Sequence, residues 1–185
     1  RKSWWSSEPM VAMVRKSDNN GAGHWVSDWT PIDLDTYDQA EIEVYSNCEE
    51  VEILLNGVSQ GRKTMDKNAA PAAYRLTFRP GECKVLGYNQ GKKVAETSYH
   101  TAGDPDKIVL TTSKQVLNND WDEVAVVRAT VVDEKGIPCV TANHLIRFEV
   151  QGAGRLVATG NANPQNHEMY VVPEKTAYQG TCIAI

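Results

Sequence analysis

Runs in which apolar and polar residues alternate occupy most of the chain, and this alternation limits the possible folds more than any other feature of the sequence. In "AEIEVYS" (40–46), Ala40, Ile42 and Val44 alternate with glutamates and a tyrosine, and "AYRLTFR" (73–79) repeats the pattern. Successive side chains of a β-strand point to opposite faces, so a period of two is typical of a strand with one buried face. Because helical periodicity is almost absent, we predict an all-β protein.

Turn sequences separate these runs in the first half of the chain. Asn56-Gly57, Pro80-Gly81 and the segment "NQG" at 89–91 contain residues that favour tight turns. Short strands joined by such turns over about 100 residues are typical of an immunoglobulin-like (Ig-like) β-sandwich. We predict one such domain over residues 1–103.

The strand pattern restarts after residues 101–107, "TAGDPDK", which have the small and polar composition of a linker. "EVAVVRATVVDEKG" (123–136) and "HLIRFEVQGAG" (144–154) are long alternating runs in this half. A second Ig-like β-sandwich is therefore predicted over residues 104–185. Its last run, "AYQGTCIAI", stops early, so this domain is expected to be truncated at its C-terminus.

The pair Asn56-Gly57 lies between two extended runs and predicts a hairpin of type I′, in which both central residues adopt positive φ. In the strand before it, Val51, Ile53 and Leu55 are expected to face the core. Glu52 is expected to face solvent. Taken alone, the stretch is a hairpin and carries no chemistry.

Charge and hydropathy exclude two classes of partner. The net charge is −5, and no basic cluster is dense enough to neutralise several phosphates, so we expect no binding of nucleic acid. No apolar run approaches the roughly 20 residues of a membrane-spanning helix. We therefore expect no membrane span.

Four cysteines, Cys48, Cys83, Cys139 and Cys182, are divided equally between the two halves. None belongs to a CxxC pair, so zinc and redox motifs are unsupported. One disulfide in each half is possible. Free thiols are the expectation, because nothing in the spacing demands a bridge.

No residue pattern predicts a reaction centre, a cofactor or a metal. Retaining glycoside hydrolysis, for example, requires two carboxylates about 5–5.5 Å apart, and no pair among the 24 acidic residues is distinguished. A GxSxG motif, an HExxH motif and a phosphate-binding loop are absent from the sequence. "DNNG" (18–21) begins like a calcium loop, but Ala22 and Trp29 stand where oxygen ligands belong. We predict no catalytic, cofactor-binding or metal-binding residue.

Tryptophans are the remaining candidate contact residues: Trp4, Trp5, Trp25 and Trp29 crowd the first 30 residues, and Trp121 lies in the second half. Exposed indoles can stack on the apolar faces of sugar rings. The other interpretation is that they cover the core or pack on a neighbouring domain, where large amphipathic aromatics are favoured. Their concentration near residue 1 favours contact with a neighbouring domain, and both interpretations stay open.

Several motifs resemble a known family in their sequence and order. They are "WWSSEPMVAMV" (4–14), "HWVSDW" (24–29), "IEVYSNCEEVEILLNGVSQGRK" (42–63), "RPGECKVLGYNQGKKVAETSYHTAGDP" (79–105) and "VVDEKGIPCVTANHLIRFEVQGAGRLVATGNANP" (131–164). Together they resemble the region that follows the catalytic barrel in glycoside hydrolase family 2, in its β-galactosidase-like members of Bacteroidetes type. The polar stretch at 11–25 is longer than the family's usual one, and "GVSQG" replaces the more usual "GKSLG", which leaves the substrate of the parent enzyme open.

The resemblance implies a parent enzyme, a retaining exo-glycosidase with two catalytic glutamates on an upstream (β/α)₈ barrel. Those glutamates have no counterpart in this sequence, so the chain is expected to be a non-catalytic accessory fragment that needs no cofactor and whose partner is the barrel of the same polypeptide. Members of the family act on β-galactosides, β-glucuronides or β-mannosides. Family habit also implies a periplasmic or secreted location.

Two other functions remain open at this point. A carbohydrate-binding module would display its tryptophans in a row or a cleft. A structural cell-surface spacer or adhesin would contain many similar Ig-like repeats, whereas this sequence contains two domains with different patterns.

Overall fold

The computed structural model describes residues 2–17, 24–66, 71–118 and 123–185. It confirms the all-β prediction, because the regular elements of the described residues are a single helix of one turn and fourteen β-strands joined by turns and loops. These elements are α1 (Lys2–Trp5), β1 (Val11–Lys16), β2 (Trp25–Val26), β3 (Gln39–Ser46), β4 (Glu50–Leu55), β5 (Val58–Thr64), β6 (Ala72–Thr77), β7 (Glu82–Asn89), β8 (Lys92–His100), β9 (Lys107–Thr112), β10 (Val127–Val132), β11 (Leu145–Arg147), β12 (Thr159–Gly160), β13 (Glu174–Thr176) and β14 (Thr181–Ala184). Among these residues no helix is long and apolar enough to span a membrane.

The chain divides into two compact units, Arg1–Thr101 and Ala102–Ile185. The division falls at the start of the linker-like segment 101–107, whereas the sequence pattern places it after Gly103. Each unit has its own buried cluster of apolar side chains.

Unit 1 is a sandwich of two four-stranded antiparallel sheets with the orders β2-β1-β3-β6 and β5-β4-β7-β8. The alternation in the sequence sets which side chains face inward. Met13 pairs with Val44 in the first sheet and Ile53 pairs with Val85 in the second, and all four are fully buried. Burying such side chains stabilises a fold by about 1.5–3 kcal/mol each, so these two inner faces form the core of the unit.

The hairpin at Asn56-Gly57 is of type I′, as predicted, with φ values of 48° and 82°. Val51, Ile53 and Leu55 are buried, which confirms the predicted inner face of β4. Glu52 lies on the outer face but is only 15% exposed. Its carboxylate accepts hydrogen bonds from Ser59 Oγ at 2.5 Å and from the Tyr88 hydroxyl at 2.7 Å, which lower its pKa. The outward direction of Glu52 agrees with the prediction, but its carboxylate is less exposed than expected because neighbouring strands supply hydrogen-bond partners.

The side chain of Asn56 joins this hairpin to the turn at Pro80-Gly81. Asn56 Nδ2 donates to the carbonyl of Pro80 at 2.9 Å, and Asn56 Oδ1 accepts from the backbone N–H of Glu82 at 2.8 Å. The backbone N–H of Asn56 donates to the carbonyl of Glu82 at 2.9 Å. Gly81 has a φ of 122°, and a Cβ at this position would lie 2.1 Å from Asn56 Oδ1. Glycine is thus required both by backbone conformation and by the close approach of the asparagine.

One end of unit 1 contains a buried ion pair. Arg15 is 2% exposed, and its Nη2 lies 2.9 Å from Asp28 Oδ1. The same nitrogen donates to the carbonyl of Thr30 at 2.8 Å. A guanidinium with these partners is tolerated in the interior, whereas removing Asp28 would leave a buried charge without its counter-ion. The ion pair ties β1 to the segment that carries Trp29.

Unit 2 pairs a four-stranded sheet of order β12-β14-β10-β9 with a two-stranded sheet, β11-β13. Its core is built from small side chains and a few larger ones: Ala102, Ala129, Val131, Cys139, Ala142, Ile146, Ala177 and Cys182. Lys175 is fully buried, and its Nζ donates to the carbonyl of Met169 at 2.9 Å. This lysine therefore fastens the segment before β13 to the core.

All four cysteines are free and buried, which agrees with the expectation of free thiols. Burial raises the pKa of Cys83 to about 12 and that of Cys182 to about 11. Because the thiolate is the reactive form of cysteine, these side chains act as small apolar core residues.

We predict that Gly81→Ala destabilises unit 1 more than the matched variant Gly61→Ala. Gly61 also has positive φ, at 98°, but nothing lies within 4 Å of a Cβ built there. Alanine at Gly61 costs only backbone strain of about 1–3 kcal/mol. Alanine at Gly81 adds the loss of the Asn56 hydrogen bonds, about 1 kcal/mol each.

Urea unfolding of the two variants and of the unsubstituted chain measures this difference. Equal losses of unfolding free energy in Gly81→Ala and Gly61→Ala would show that the Asn56 contact contributes nothing.

Candidate functional site

The structure separates the predicted tryptophans into different environments. Trp4 and Trp5 lie on α1 and are 64% and 86% exposed. Trp25 lies on the short edge strand β2 and is 43% exposed. Trp29 is fully buried. Trp121 lies outside the described residues.

Trp29 is a core residue of unit 1, which excludes it as a surface contact with sugar or with another domain. Its ring lies 5.0 Å from that of Phe78, measured between centroids. Its indole N–H donates to the carbonyl of Arg79 at 3.1 Å, and its own carbonyl accepts from Thr101 Oγ1 at 2.9 Å. A buried indole usually satisfies its N–H in this way. Of the two interpretations of the tryptophans, core packing is correct for this one.

A surface pocket of about 360 Å³ lies beside α1. Its walls combine one indole, one phenol, hydroxyls, an amide and a carboxylate. The lining residues are Ser3, Trp4, Ser6, Ser7, Tyr45, Ser46, Asn47, Met65, Asp66 and Pro71. This pocket is the place where an exposed tryptophan and convergent polar groups meet, and we take it with α1 as the candidate site.

Asn47 positions the N-terminal segment of the site. Its Nδ2 donates to the carbonyls of Ser6 at 2.9 Å and Glu8 at 2.7 Å, and its Oδ1 accepts from the backbone N–H of Met10 at 2.7 Å. Ser46 Oγ donates to the carbonyl of Met10 at 2.7 Å. The segment that follows α1 is thereby latched to the end of β3. We call these contacts the Asn47 latch.

The sequence did not mark Tyr45, Asn47 or Asp66 as site residues. Tyr45 stands in the outward register of β3, and Asn47 follows directly after that strand. Their position at a strand end was visible in the pattern. The contact of Asn47 with residues 6–10 was not, because it joins segments about 40 residues apart.

Some polar groups that line the pocket already form hydrogen bonds with other groups of the protein. The Tyr45 hydroxyl donates to Glu43 Oε2 at 2.7 Å, and this hydrogen bond is the main cause of the raised pKa of Tyr45. All three side-chain hydrogen-bonding positions of Asn47 described above are used by the latch. Trp4 and Tyr45 contribute two aromatic side chains to the lining, beside the polar groups of Ser3, Ser7 and Asp66.

Among the described acidic residues, every resolved pKa shift is a downward one. Hydrogen bonds lower the pKa of eight described carboxylates: Asp33, Glu41, Glu52, Glu82, Glu96, Glu123, Asp133 and Glu168. At Glu41 the largest cause is a hydrogen bond from Lys16, followed by one from Arg75. The general acid of a glycosidase needs a raised pKa instead. These eight groups are held ionised for structural contacts.

No group of three or more histidine, cysteine, aspartate or glutamate side chains suited to a metal ion occurs in residues 2–17, 24–66, 71–118 and 123–185.

Comparison with known proteins relates this chain to glycoside hydrolase family 2. Residues 108–185 match the model of the glycoside hydrolase family 2 C-terminal domain 5, and residues 38–95 match a domain of unknown function (DUF4982). Beta-galactosidase BoGH2A of Bacteroides ovatus is 37% identical over 165 residues, which cover 88% of this chain and 18% of that protein. A putative beta-glucuronidase of Formosa agariphila is 24% identical over 165 residues, 88% of this chain and 15% of that protein. The chain thus spans less than a fifth of each relative.

The fold agrees with the sequence comparison. The crystal structure of a glycoside hydrolase family 2 member from Bacteroides cellulosilyticus superimposes with a TM-score of 0.89 and 27% identity, covering 100% of this chain and 26% of that one. The matches to this family therefore come from the family model over residues 108–185, from a relative and from a solved structure. The chain belongs to the C-terminal region of glycoside hydrolase family 2.

Proposed function

We propose that this chain is a non-catalytic accessory region of a larger β-galactosidase-like enzyme that hydrolyses terminal glycosidic bonds of oligosaccharides or polysaccharides. Its partner is the (β/α)₈ barrel of the same polypeptide, and the enzyme is periplasmic or secreted. A β-galactoside is favoured as the substrate class, since the relative named beta-galactosidase is 37% identical and the one named putative beta-glucuronidase is 24% identical.

The observation that carries the proposal is the exposure of two adjacent indoles on a fixed segment. Trp4 and Trp5 are 64% and 86% exposed, although they belong to the residue type that contributes most at protein interfaces. The Asn47 latch holds the segment after them against β3, so the indoles are presented from an ordered base. Large exposed apolar side chains on an ordered surface mark a contact site. A neighbouring domain of the same polypeptide is the partner that family membership supplies.

The lowered carboxylate pKa values support the non-catalytic part of the proposal. A retaining glycosidase needs one carboxyl group that is protonated near neutral pH and one nucleophilic carboxylate. Glu41, Glu52 and Glu82 are instead stabilised as anions by hydrogen bonds from Lys16, Ser59 and Lys84, respectively, as the largest cause in each case.

A second candidate function, carbohydrate binding, is favoured by the pocket beside α1. Trp4 and Tyr45 supply ring faces, and Ser3, Ser7 and Asp66 supply polar groups around the same space. Pockets with mostly fixed walls and a few convergent polar groups are typical of small-ligand sites. In the parent enzyme this function would hold polysaccharide close to the catalytic domain.

We predict that the purified chain hydrolyses none of the nitrophenyl β-galactoside, β-glucuronide and β-mannoside substrates. The parent polypeptide, assayed in parallel, is expected to cleave the β-galactoside. Turnover by the chain alone that rises in proportion to its concentration, after repeated purification, would overturn the non-catalytic assignment.

For the second candidate, affinity electrophoresis of the chain in gels containing galactan is the measurement. Binding at the pocket predicts retardation that Trp4→Ala abolishes and that Trp25→Ala, an exposed tryptophan outside the pocket, leaves unchanged. Absence of retardation in galactan and in related polysaccharides would eliminate this candidate.

A further inference from the structure

The hairpin sequence Asn56-Gly57 is also a chemically labile pair. In an Asn-Gly sequence the backbone nitrogen of glycine can attack the side-chain carbonyl of asparagine, because glycine presents no side chain to hinder the approach. A bond forms between that nitrogen and asparagine Cγ, the Cγ–Nδ2 bond breaks, and ammonia leaves with the proton of the glycine N–H. Water then opens the cyclic imide to aspartate or isoaspartate. Asparagine is among the thermolabile residues for this kind of reason.

The chain contains two such pairs, Asn56-Gly57 and Asn20-Gly21. Asn20 and Gly21 lie outside the described residues, and the second pair serves below only as a chemical reference in the unfolded chain.

Both polar atoms of the Asn56 side-chain amide, which must move for the reaction to occur, are hydrogen-bonded in the folded protein. The leaving nitrogen, Nδ2, donates to the carbonyl of Pro80, and the carbonyl oxygen, Oδ1, accepts from the N–H of Glu82. Gly81 lies so close that a Cβ there would clash with Oδ1 and Cγ at 2.1 and 2.9 Å. To reach the nitrogen of Gly57, the side-chain amide would have to leave both partners. The positive φ values of both residues add a second restraint, because the backbone is committed to the type I′ turn.

We propose that Asn56 is a deamidation site that the native hairpin guards, and that its deamidation irreversibly weakens the contact between the two turns. The site is open to reaction when the turn between β4 and β5 separates from the turn at Pro80-Gly81, and closed when the Asn56 contacts are formed. The co-reactant is water, and the product carries a new carboxyl group at position 56.

The product cannot rebuild the native contact. An aspartate at position 56 still accepts a hydrogen bond from Glu82, but it has no N–H for the carbonyl of Pro80. Its carboxylate oxygen would then face that carbonyl oxygen, at a position where the asparagine nitrogen lies 2.9 Å away. Isoaspartate adds a methylene to the main chain and is incompatible with a two-residue hairpin of this register. Deamidation of Asn56 therefore weakens the hairpin, whichever of the two products forms.

The first test compares rates in the folded and unfolded chain. The intact protein is incubated at one mildly alkaline pH and one temperature, with and without concentrated urea, and peptides containing residues 20 and 56 are followed by mass spectrometry. In urea the two pairs should deamidate at similar rates. In native buffer Asn56 should react roughly tenfold or more slowly than in urea, since two hydrogen bonds must break. Equal rates at Asn56 in both conditions would overturn the proposal.

A matched pair of variants tests the mechanism. Gly81→Ala displaces the Asn56 side chain, whereas Gly61→Ala introduces comparable backbone strain with nothing within 4 Å of the new Cβ. At equal fraction folded, we expect several-fold faster native deamidation of Asn56 in Gly81→Ala and the unsubstituted rate in Gly61→Ala. Equal native rates in the two variants would show that contact with Asn56 does not guard it. If Gly81→Ala does not fold, the comparison of native and urea rates in the unsubstituted chain still decides.

Discussion

The contact of Asn56 with Pro80 and Glu82 reinforces the register of β4, on which the core of unit 1 depends. It joins the turn between β4 and β5 to the turn that precedes β7, so the central strand β4 is aligned with both neighbours at one end. A slip by one residue would turn Val51, Ile53 and Leu55 toward solvent and bring Glu52 into the core. The hydrogen bonds of Asn56 thus add to the strand pairing of β4 in keeping this face buried. The same contact guards the Asn56-Gly57 pair against deamidation.

The candidate site follows from this scaffold. With the sandwich in register, β3 ends beside the N-terminal segment, and Asn47 binds the backbone of residues 6–10. The indoles of α1 are then displayed at the surface instead of being drawn into the core, as Trp29 is. In a region of this kind the functional contacts are made by surface residues, and the β-sandwich holds those residues in place. A domain that braces a catalytic barrel and a domain that retains polysaccharide would both need this property.

Local alternation predicted most strands and the I′ hairpin, because strand period and turn chemistry are read from neighbouring residues. Strand ends were less predictable. The long run 123–136 forms a strand only at Val127–Val132, and 144–154 forms one only at Leu145–Arg147. In these segments the pairing partners, not the alternation, determine how far the ladder extends. Two-stranded β11-β13, for instance, pairs only three residues on each strand.

Contacts between distant segments could not be predicted from the pattern. The buried charges Arg15 and Lys175 sit at inward positions that a period-two reading gives to apolar residues, and their partners come from other segments. For the same reason the sequence grouped Trp29 with the exposed tryptophans. Its burial depends on Phe78 and Arg79, which lie about 50 residues away.

The role of the exposed indoles is tested most directly by comparing one double substitution in two contexts. Trp4→Ala with Trp5→Ala is introduced into the chain alone and into the parent polypeptide, and unfolding free energies are measured beside Val58→Ala, a control whose side chain is 65% exposed on β5. If α1 docks on the catalytic domain, the double substitution should change the stability of the chain alone by no more than about 0.5 kcal/mol. It should destabilise the parent by about 2 kcal/mol or more, while Val58→Ala is near neutral in both. An equal and small effect of the double substitution in both contexts would contradict docking through these tryptophans.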